Sequence, residues 1–428
     1  MSPRVAMAAA VLAMASLPVL GETIAIVDAT VHTMTQEQPL RNATVLVRDG
    51  RIEGVGANLP VPSGARVIEG RGRIVTPAFM NSATQLGLTE VSSISAASDA
   101  TVSSGQLGAA FDVRYALNPR SLAIRQARVD GLSRAIAYPG GSAGAPFAGL
   151  GALLHVARDE AVVEQPGIAM FAQVGGETST AAGGSRSAQW QLIRNALEEA
   201  RLQRGSARSS PRDSFLARID LAALKPVAEG MLPLVVDADR ESDIRQAIAL
   251  ARDRKVRIIV KGGVEAWRAA ADLAAANIPV VLDPSINLPL YFDHLGARAD
   301  NAALLHAAGV LIAFEVSSIH TTFNAGFALR DVAGLAVANG LAHRDALAAI
   351  TVNPARIWKI EDRYGVIAAG READLLVWDG DPFEPMSSLV AVLAQGREVD
   401  LTTRQILLRD RYLPGEKEQL PPAYRRSE

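Results

Sequence analysis

The sequence predicts an α/β protein, a distorted TIM-like (β/α)8 barrel joined to a small β-sandwich that the N- and C-terminal segments build together. β-Strand patterns open and close the chain, and apolar strands alternate with helical patterns between them. About 280 residues separate the two β regions, close to the roughly 250 residues of a typical (β/α) barrel. A doubly wound open sheet is the alternative, because sequence periodicity does not detect the closure of a sheet.

Both ends of the chain have sequence patterns that predict β-strands. Near the N-terminus, two β-branched runs flank Asp49-Gly50, a dipeptide typical of tight hairpin turns. Near the C-terminus, runs at 373–378, 390–394 and 405–408 have the composition of strands. We therefore expect residues 22–74 and 362–415 to form the composite β-sandwich and residues 75–361 to form the barrel.

The middle of the chain has a different period. The runs at 234–236, 258–260, 280–282 and 310–314 are apolar along their whole length, and helical patterns separate them. Strands of this kind are buried on both faces, as in parallel sheets covered by helices. Functional groups of such barrels gather where the strands end, so the residues that follow these runs are the candidates for a site.

The first residues are typical of an export signal. Arg4 precedes the apolar run Val5–Leu20, and about 16 apolar residues are fewer than the roughly 20 that span a bilayer. We expect residues 1–21 to be a cleaved signal peptide, with a transmembrane anchor as the alternative. The mature protein is then expected to be secreted, to reside in a periplasm and to have no membrane span, with residues 416–428 as a polar tail.

Composition excludes several classes of function. The chain has 428 residues, and 43 Lys+Arg against 45 Asp+Glu give a net charge of -2, so no nucleic-acid partner is expected. The absence of cysteine excludes disulfides, thiolate zinc sites and a cysteine nucleophile. Any metal would therefore depend on carboxylates, a modified lysine or the six histidines.

Two runs carry a family resemblance. The run Gly72–Gly87 resembles the start of the barrel in the amidohydrolase superfamily, particularly its imidazolonepropionase-like branch. Residues 346–356 and 365–378 are similar to that family's closing helix and its return into the β-sandwich. With 264–267 between them, the resemblance spans roughly residues 23–412.

The resemblance implies one or two divalent metals at the mouth of the barrel, where a metal-bound water attacks a carbonyl carbon. This chain departs from that pattern. Ala83 and Gln85 stand where the family has His-x-His, Asp237 where relatives place a histidine, and Ser317 where they carry an aspartate. The run 168–172 offers no lysine for a bridging carbamate. We expect the usual metal centre to be absent and assign no metal ligand or cofactor, although a weak divalent site stays open.

Several polar residues remain as candidates at the mouth. We expect catalytic roles for Asp237, Glu315 and His320, because such carboxylates and an imidazole can form an acid–base pair or a weak metal site. Glu315 as a buried partner of one of the many arginines is the alternative. The candidates for substrate contacts are Gln85, Glu90, Lys261 and His294, with Lys261 placed to neutralise Asp237.

Two functions follow from these residues. The resemblance implies a hydrolase of non-peptide carbon–nitrogen bonds that acts on a small amide-like or cyclic amide ligand. The missing ligand residues favour a non-catalytic binding or structural subunit that pairs with a metal-bearing relative. A homo-oligomer is the other partner arrangement that the sequence leaves open.

Overall fold

The computed structural model describes residues 23–91, 94–102, 107–142, 146–157, 161–176, 178, 182–202, 216–316 and 324–413. The predicted signal peptide, the polar tail and the candidate residue His320 lie outside these ranges, as does Ser317.

The described residues form strands early and late in the chain and a mixture of strands and helices between them. The strands are β1 (Ile24–Val31), β2 (Leu40–Arg48), β3 (Arg51–Ala57), β4 (Arg66–Glu69), β5 (Ile74–Pro77), β6 (Phe79–Thr84), β7 (Thr101–Val102), β8 (Leu132–Ala137), β9 (Gly141–Ser142), β10 (Phe147–His155), β11 (Val163–Gln173), β12 (Leu234–Ala238), β13 (Ile258–Gly262), β14 (Val280–Leu282), β15 (Ile312–Phe314), β16 (Leu375–Trp378), β17 (Leu389–Ala394) and β18 (Arg397–Glu398). The helices are α1 (Leu122–Val129), α2 (Arg186–Leu202), α3 (Arg218–Ala228), α4 (Glu241–Arg254), α5 (Ala270–Ala275), α6 (Asn301–Ala307), α7 (Ala325–Ala338), α8 (His343–Ala349), α9 (Val352–Ile357) and α10 (Arg404–Tyr412). Within the described ranges, no helix is both long enough and apolar enough to cross a bilayer.

One sheet joins the two ends of the chain. Its strands run in the order β18-β17-β16-β5-β1-β2-β3, and β4 pairs with β1. The two chain ends meet where β5 pairs antiparallel with β16, with Val75 opposite Val377. The predicted hairpin is present, since Asp49 and Gly50 adopt positive φ angles of 51° and 76° between β2 and β3. The N- and C-terminal segments therefore build one composite β unit, as predicted.

The prediction of a strand at 405–408 is wrong. These residues belong to α10, and the side chain of Thr403 accepts a hydrogen bond of 3.1 Å from the backbone N–H of Ile406. A threonine at this position caps the free N–H groups of a helix start, and this local interaction outweighs the strand composition of the run.

The second sheet is the barrel. Its eight strands run in the order β15-β14-β13-β12-β11-β10-β8-β6. The amide of Asn81 bridges the two ends of this sheet, because its oxygen accepts from the N–H of Val316 and its nitrogen donates to the carbonyl of Val316, both at 3.2 Å. The predicted barrel is thus confirmed, and the open doubly wound sheet is excluded.

The barrel is distorted at one strand. β10 runs antiparallel to both β8 and β11, whereas the other adjacent strands pair parallel. Parallel neighbours need a crossover of a dozen or more residues, and the connections on both sides of β10 are too short for one. Seven strands therefore end at the same mouth of the barrel.

Alternation along the strands places every second residue inside the barrel. An apolar layer fills the interior, and the alternate residues, such as Val236 and Val260, pack outward with the helix residue Ile244. The inward apolar layer consists of Ile136, Phe171, Val235, Ile259, Val281 and Ala313. Two residues further towards the mouth, the inward positions are Tyr138, Gln173, Asp237, Lys261, Asp283 and Glu315.

At the end of the barrel opposite the mouth, which we call the floor, Arg134 of β8 is the centre of a buried ion cluster. Its guanidinium lies 2.8 Å from Glu164, 3.0 Å from Glu372 and 2.8 Å from Asp374, and it stacks 3.7 Å from the ring centre of Tyr364. Only 1% of the Arg134 side chain is exposed. This buried ion cluster connects the barrel to the segment that leads into β16.

Replacing Arg134 with methionine is expected to destabilise the protein by about 3–5 kcal/mol, because Glu372 and Asp374 would lose their cation and Glu164 would keep only Arg363. Urea unfolding of Arg134→Met and of the control Arg71→Met, whose guanidinium is mostly exposed beside Asp28, measures the effect. A loss of less than about 1 kcal/mol in Arg134→Met would contradict this role of the floor cluster.

Candidate functional site

Lys261 is the centre of a polar layer at the mouth. Its ammonium lies 3.2 Å from Oδ2 of Asp237 and 3.3 Å from Oε1 of Glu315, and it lies over the Tyr138 ring at 4.7 Å. The register explains part of this arrangement, because Asp237 of β12 is paired directly with Lys261 of β13. The expected contact between Lys261 and Asp237 is therefore present, and the partner of Glu315 is this lysine and not an arginine.

Burial controls the charges in this layer. It raises the pKa of Glu315 to about 8, although the ammonium of Lys261 opposes the shift. It also raises the pKa of Asp237 and of Asp283. Burial on its own would lower the pKa of Lys261, but Asp237 and Glu315 raise it well above its ordinary value. At neutral pH the site therefore combines a charged ammonium with a Glu315 carboxyl that is mostly protonated.

Only one of the two carboxyl oxygens of Glu315 has an interaction partner among the described residues. Its Oε1 faces Lys261, whereas its Oε2 is buried and has no hydrogen-bond partner among the described residues. Only 2% of Glu315 is exposed. A buried carboxyl in its neutral form can donate a proton, and such a group near pH 7 is suited to general acid catalysis.

Asp239 and His294 form a second polar pair just beyond Asp237. Nε2 of His294 lies 2.9 Å from Oδ2 of Asp239, and this hydrogen bond raises the pKa of His294. Gly262, at the end of β13, allows the side chains of Asp239 and Asp237 to lie close to the backbone of this strand. Its φ is +81°, and a Cβ there would lie 2.5 Å from Asp239 and 3.2 Å from Asp237. The mouth therefore requires glycine at this position.

Gln85 and Gln173 both lie against the same backbone segment. The side-chain amide of Gln173 donates to the carbonyl of Gly140 at 3.0 Å, and Gln85 packs so closely on Gly140 that a Cβ there would lie 2.6 Å from its Nε2. Gln173 is paired with Asp237 in the sheet. These two amides thus form the side of the mouth next to Asp237.

The structure does not bring Glu90 into the Lys261 cluster. Its carboxylate accepts hydrogen bonds from Asn118 at 2.7 Å and from Ser121, the N-cap residue of α1, at 3.0 Å. These contacts hold in place the segment that precedes α1. The remaining candidate, His320, lies outside the described residues.

Three members of the layer were missed by sequence reasoning. Tyr138 and Gln173 each stand two residues after an inward apolar residue of their strand, and Asp239 stands two residues after Asp237. The period-two spacing that selected Glu315 could have found all three.

The donor set at the mouth does not fit the binuclear centre that the resemblance implies. Ala83 has no donor atom, and the Lys261 ammonium already lies between Asp237 and Glu315, two of the carboxylates at the mouth. Within the described ranges, three ligand groups close enough to share an ion occur only at His155, Glu372 and Asp374, on the floor. There Arg134 hydrogen-bonds both carboxylates.

Comparisons with known proteins agree with the barrel. Residues 241–405, from α4 into α10, match the model of the amidohydrolase family. The matched range includes Lys261 and Glu315 but not Asp237 or the first barrel strand. No curated protein matches the sequence.

Solved structures of amidohydrolases share the fold over nearly the whole chain. An amidohydrolase from Thermotoga maritima MSB8 is 25% identical, with a TM-score of 0.78 over 88% of this chain and 99% of that chain. Molinate hydrolase is 18% identical, with a TM-score of 0.54 over 89% of this chain and 95% of that chain. Phenylurea hydrolase B is 16% identical, with a TM-score of 0.55 over 89% and 97%. The similarities to molinate hydrolase and phenylurea hydrolase B are at low sequence identity and show the fold alone.

Protonation of Glu315 is expected to make stability depend on pH. A carboxyl whose pKa is about 8 when folded and near 4.5 when unfolded holds its proton longer in the folded state. Stability is therefore lost as pH rises from about 4.5 to about 8, by up to about 1.4 kcal/mol per pH unit. In urea unfolding across this range, Glu315→Gln should have a clearly smaller slope than the wild type. An unchanged slope in Glu315→Gln, or the same change in Glu90→Gln, would contradict this assignment.

Proposed function

We propose that this chain, which matches the amidohydrolase family model over residues 241–405, is a hydrolase of non-peptide carbon–nitrogen bonds in small amides or cyclic amides. We further propose that it belongs to the imidazolonepropionase-like branch and works without that branch's usual metal centre. The observation that carries the proposal is the Lys261 ammonium, which lies between Asp237 and Glu315 at the mouth of the barrel.

The chemistry needs a base, an acid and a positive charge. Asp237 and Glu315 both pair with Lys261, but the side chain of Asp237 is 27% exposed and that of Glu315 is 3% exposed, so Asp237 is the carboxylate that can accept a proton from an attacking water. Glu315 is protonated at neutral pH and can donate its proton from Oε2 to the leaving nitrogen. Water adds to the carbonyl carbon, the carbon–nitrogen bond breaks, and the proton on Asp237 then returns to Glu315.

Lys261 has two roles in this proposal. Burial raises the pKa of Asp237, and the charge of Lys261 opposes this shift, which favours the ionised form that a base needs. Lys261 also provides the positive charge near which the carbonyl oxygen becomes negative, a contribution that is large where water is excluded. Gln85 and Gln173 line the adjacent side of the mouth and are the amides available to orient a polar substrate.

A non-catalytic binding or structural subunit is the second candidate. The observation in its favour is that Lys261, Asp237 and Glu315 largely neutralise one another, while Ala83 offers no donor atom where the resemblance implies a histidine. Such a subunit would bind an amide-like ligand or pair with a metal-bearing relative.

Hydrolysis assays with and without a chelator distinguish these functions. The mature protein is expected to hydrolyse a member of a panel of small and cyclic amides at a rate that chelators do not change. Glu315→Gln and Lys261→Met should each lower kcat/KM by about 100-fold or more, because each loses a group used in the transition state. Glu90→Gln is the matched control and should retain activity.

Two results would overturn the proposal. An activity that appears only with added zinc or manganese would contradict a metal-free site. A folded wild type that hydrolyses no amide, yet binds an amide ligand or co-purifies with a metal-bearing relative, would favour the non-catalytic subunit.

We also propose that the protein is exported to a periplasm through residues 1–21, whose sequence supports a cleaved signal. Cell fractionation of a tagged chain, followed by N-terminal sequencing, is the corresponding test.

A further inference from the structure

A groove opens at the floor end of the barrel, beside the points where β13, β14 and β15 begin. Its volume is about 980 Å³, at the upper end of the roughly 300–1,000 Å³ that is typical of small-molecule sites. The short helix α5 explains the open space. Its C-terminal end supplies Ala274, Ala275 and Ala276 as lining residues, and their methyl groups are too short to fill the groove.

The charges that line this groove are mostly positive. Four exposed cationic side chains line it and form no ion pair within the part of the chain that the structure describes: Lys255, Arg257, Arg356 and Lys359. The other charged lining residues are already neutralised. Arg245 pairs with Asp272 at 2.5 Å, and Arg252 pairs with Asp253 at 3.1 Å. The groove therefore has four positive charges without counter-ions among the described residues.

Two of these cations stand at backbone positions that favour other residue types. Lys255 directly follows α4 with a φ of 59°, and Lys359 follows the end of α9 with a φ of 60°. Such left-handed positions after a helix favour glycine or asparagine, because a larger side chain is strained there. The neighbouring helices follow this rule, with Asn277 after α5 and Gly309 after α6. A cation near a helix C-terminus is stabilised by the macrodipole, but arginines in the last turns of α4 and α9 already supply that charge.

The chemistry of the groove selects a small anion with more than one acidic group. A guanidinium binds a carboxylate or phosphate through two parallel hydrogen bonds, and a lysine ammonium adds a point charge. A single acidic group would leave most of the four cations without a counter-ion. A nucleic acid would need a broad positive field, whereas these cations line one concave site on a chain with a net charge of -2.

We propose that this groove is a binding site for a small polyvalent anion that carries carboxylate or phosphate groups. The site is separate from the mouth of the barrel. Four residues of chain lead from Arg257 at the groove to Lys261 at the mouth, which is roughly 13 Å at about 3.3 Å per residue of strand. The inference does not depend on the proposed hydrolase activity, since it uses only the shape and the charges of the groove.

Isothermal titration calorimetry of the purified protein with citrate and with inorganic tripolyphosphate, at about 50 mM salt, tests the site. We expect one equivalent of at least one probe to bind with a Kd below about 1 mM, and the probe that binds identifies the acidic group. The variant that combines Lys255→Asn with Lys359→Asn should bind at least about 10-fold more weakly, because two of the four charges are lost. Asparagine accepts a positive φ, so this variant should stay folded, which thermal unfolding checks.

The control variant combines Arg201→Gln with Lys225→Gln, which removes two exposed cations that do not line the groove, and it should bind like the wild type. Weaker binding in the asparagine variant alone is the supporting result. The same weakening in the control would overturn the proposal, because net charge and not the groove would then hold the anion. Unchanged binding in the asparagine variant would also overturn it, as would a wild type that binds neither probe, even if it binds polyglutamate.

Discussion

A charge can stay buried in the barrel only when its counter-ions are buried with it, and this constraint shapes both ends of the structure. At the floor, Arg134 is surrounded by Glu164, Glu372 and Asp374. At the mouth, Lys261 is held between Asp237 and Glu315. Removing either cation would leave carboxylates without compensation in a poorly hydrated interior, which costs more than any single apolar contact contributes. The apolar layer between the two clusters separates them.

The two clusters nevertheless lie at different ends of the barrel. The floor cluster connects the barrel to the composite sheet through residues that are far apart in the sequence, and the guanidinium contacts all three carboxylates. The mouth cluster has one cation for several carboxylates, and Glu315 keeps a free oxygen. An incompletely satisfied buried group is unfavourable for stability, and such groups concentrate at functional sites. The proposed chemistry uses the cluster at the mouth, where seven strands end.

Local sequence signals predicted the parts of the fold that depend on neighbouring residues. Asp49-Gly50 identified a hairpin, and the apolar runs at 234–236 and 258–260 identified parallel strands. Their positions directly after apolar runs placed Asp237, Lys261 and Glu315 at one mouth. The antiparallel β10 was not predicted, because strand direction depends on which strands pair. The contacts of Glu90 and Arg134 depend on residues distant in the sequence, and α10 depends on a cap at Thr403 that the apolar pattern concealed. The groove at the floor end of the barrel likewise becomes visible only in three dimensions.

The central claim is that the Lys261 ammonium, held between Asp237 and Glu315, is the cation of the barrel mouth and that these carboxylates bind no metal. Equilibrium dialysis of the purified mature protein against zinc or manganese, with Asp237→Asn and Glu372→Gln as comparison variants, tests it most directly. We expect no stoichiometric binding that depends on Asp237, and any ion bound at the floor should be lost in Glu372→Gln instead. One equivalent of metal per chain that disappears in Asp237→Asn and persists in Glu372→Gln would contradict the claim.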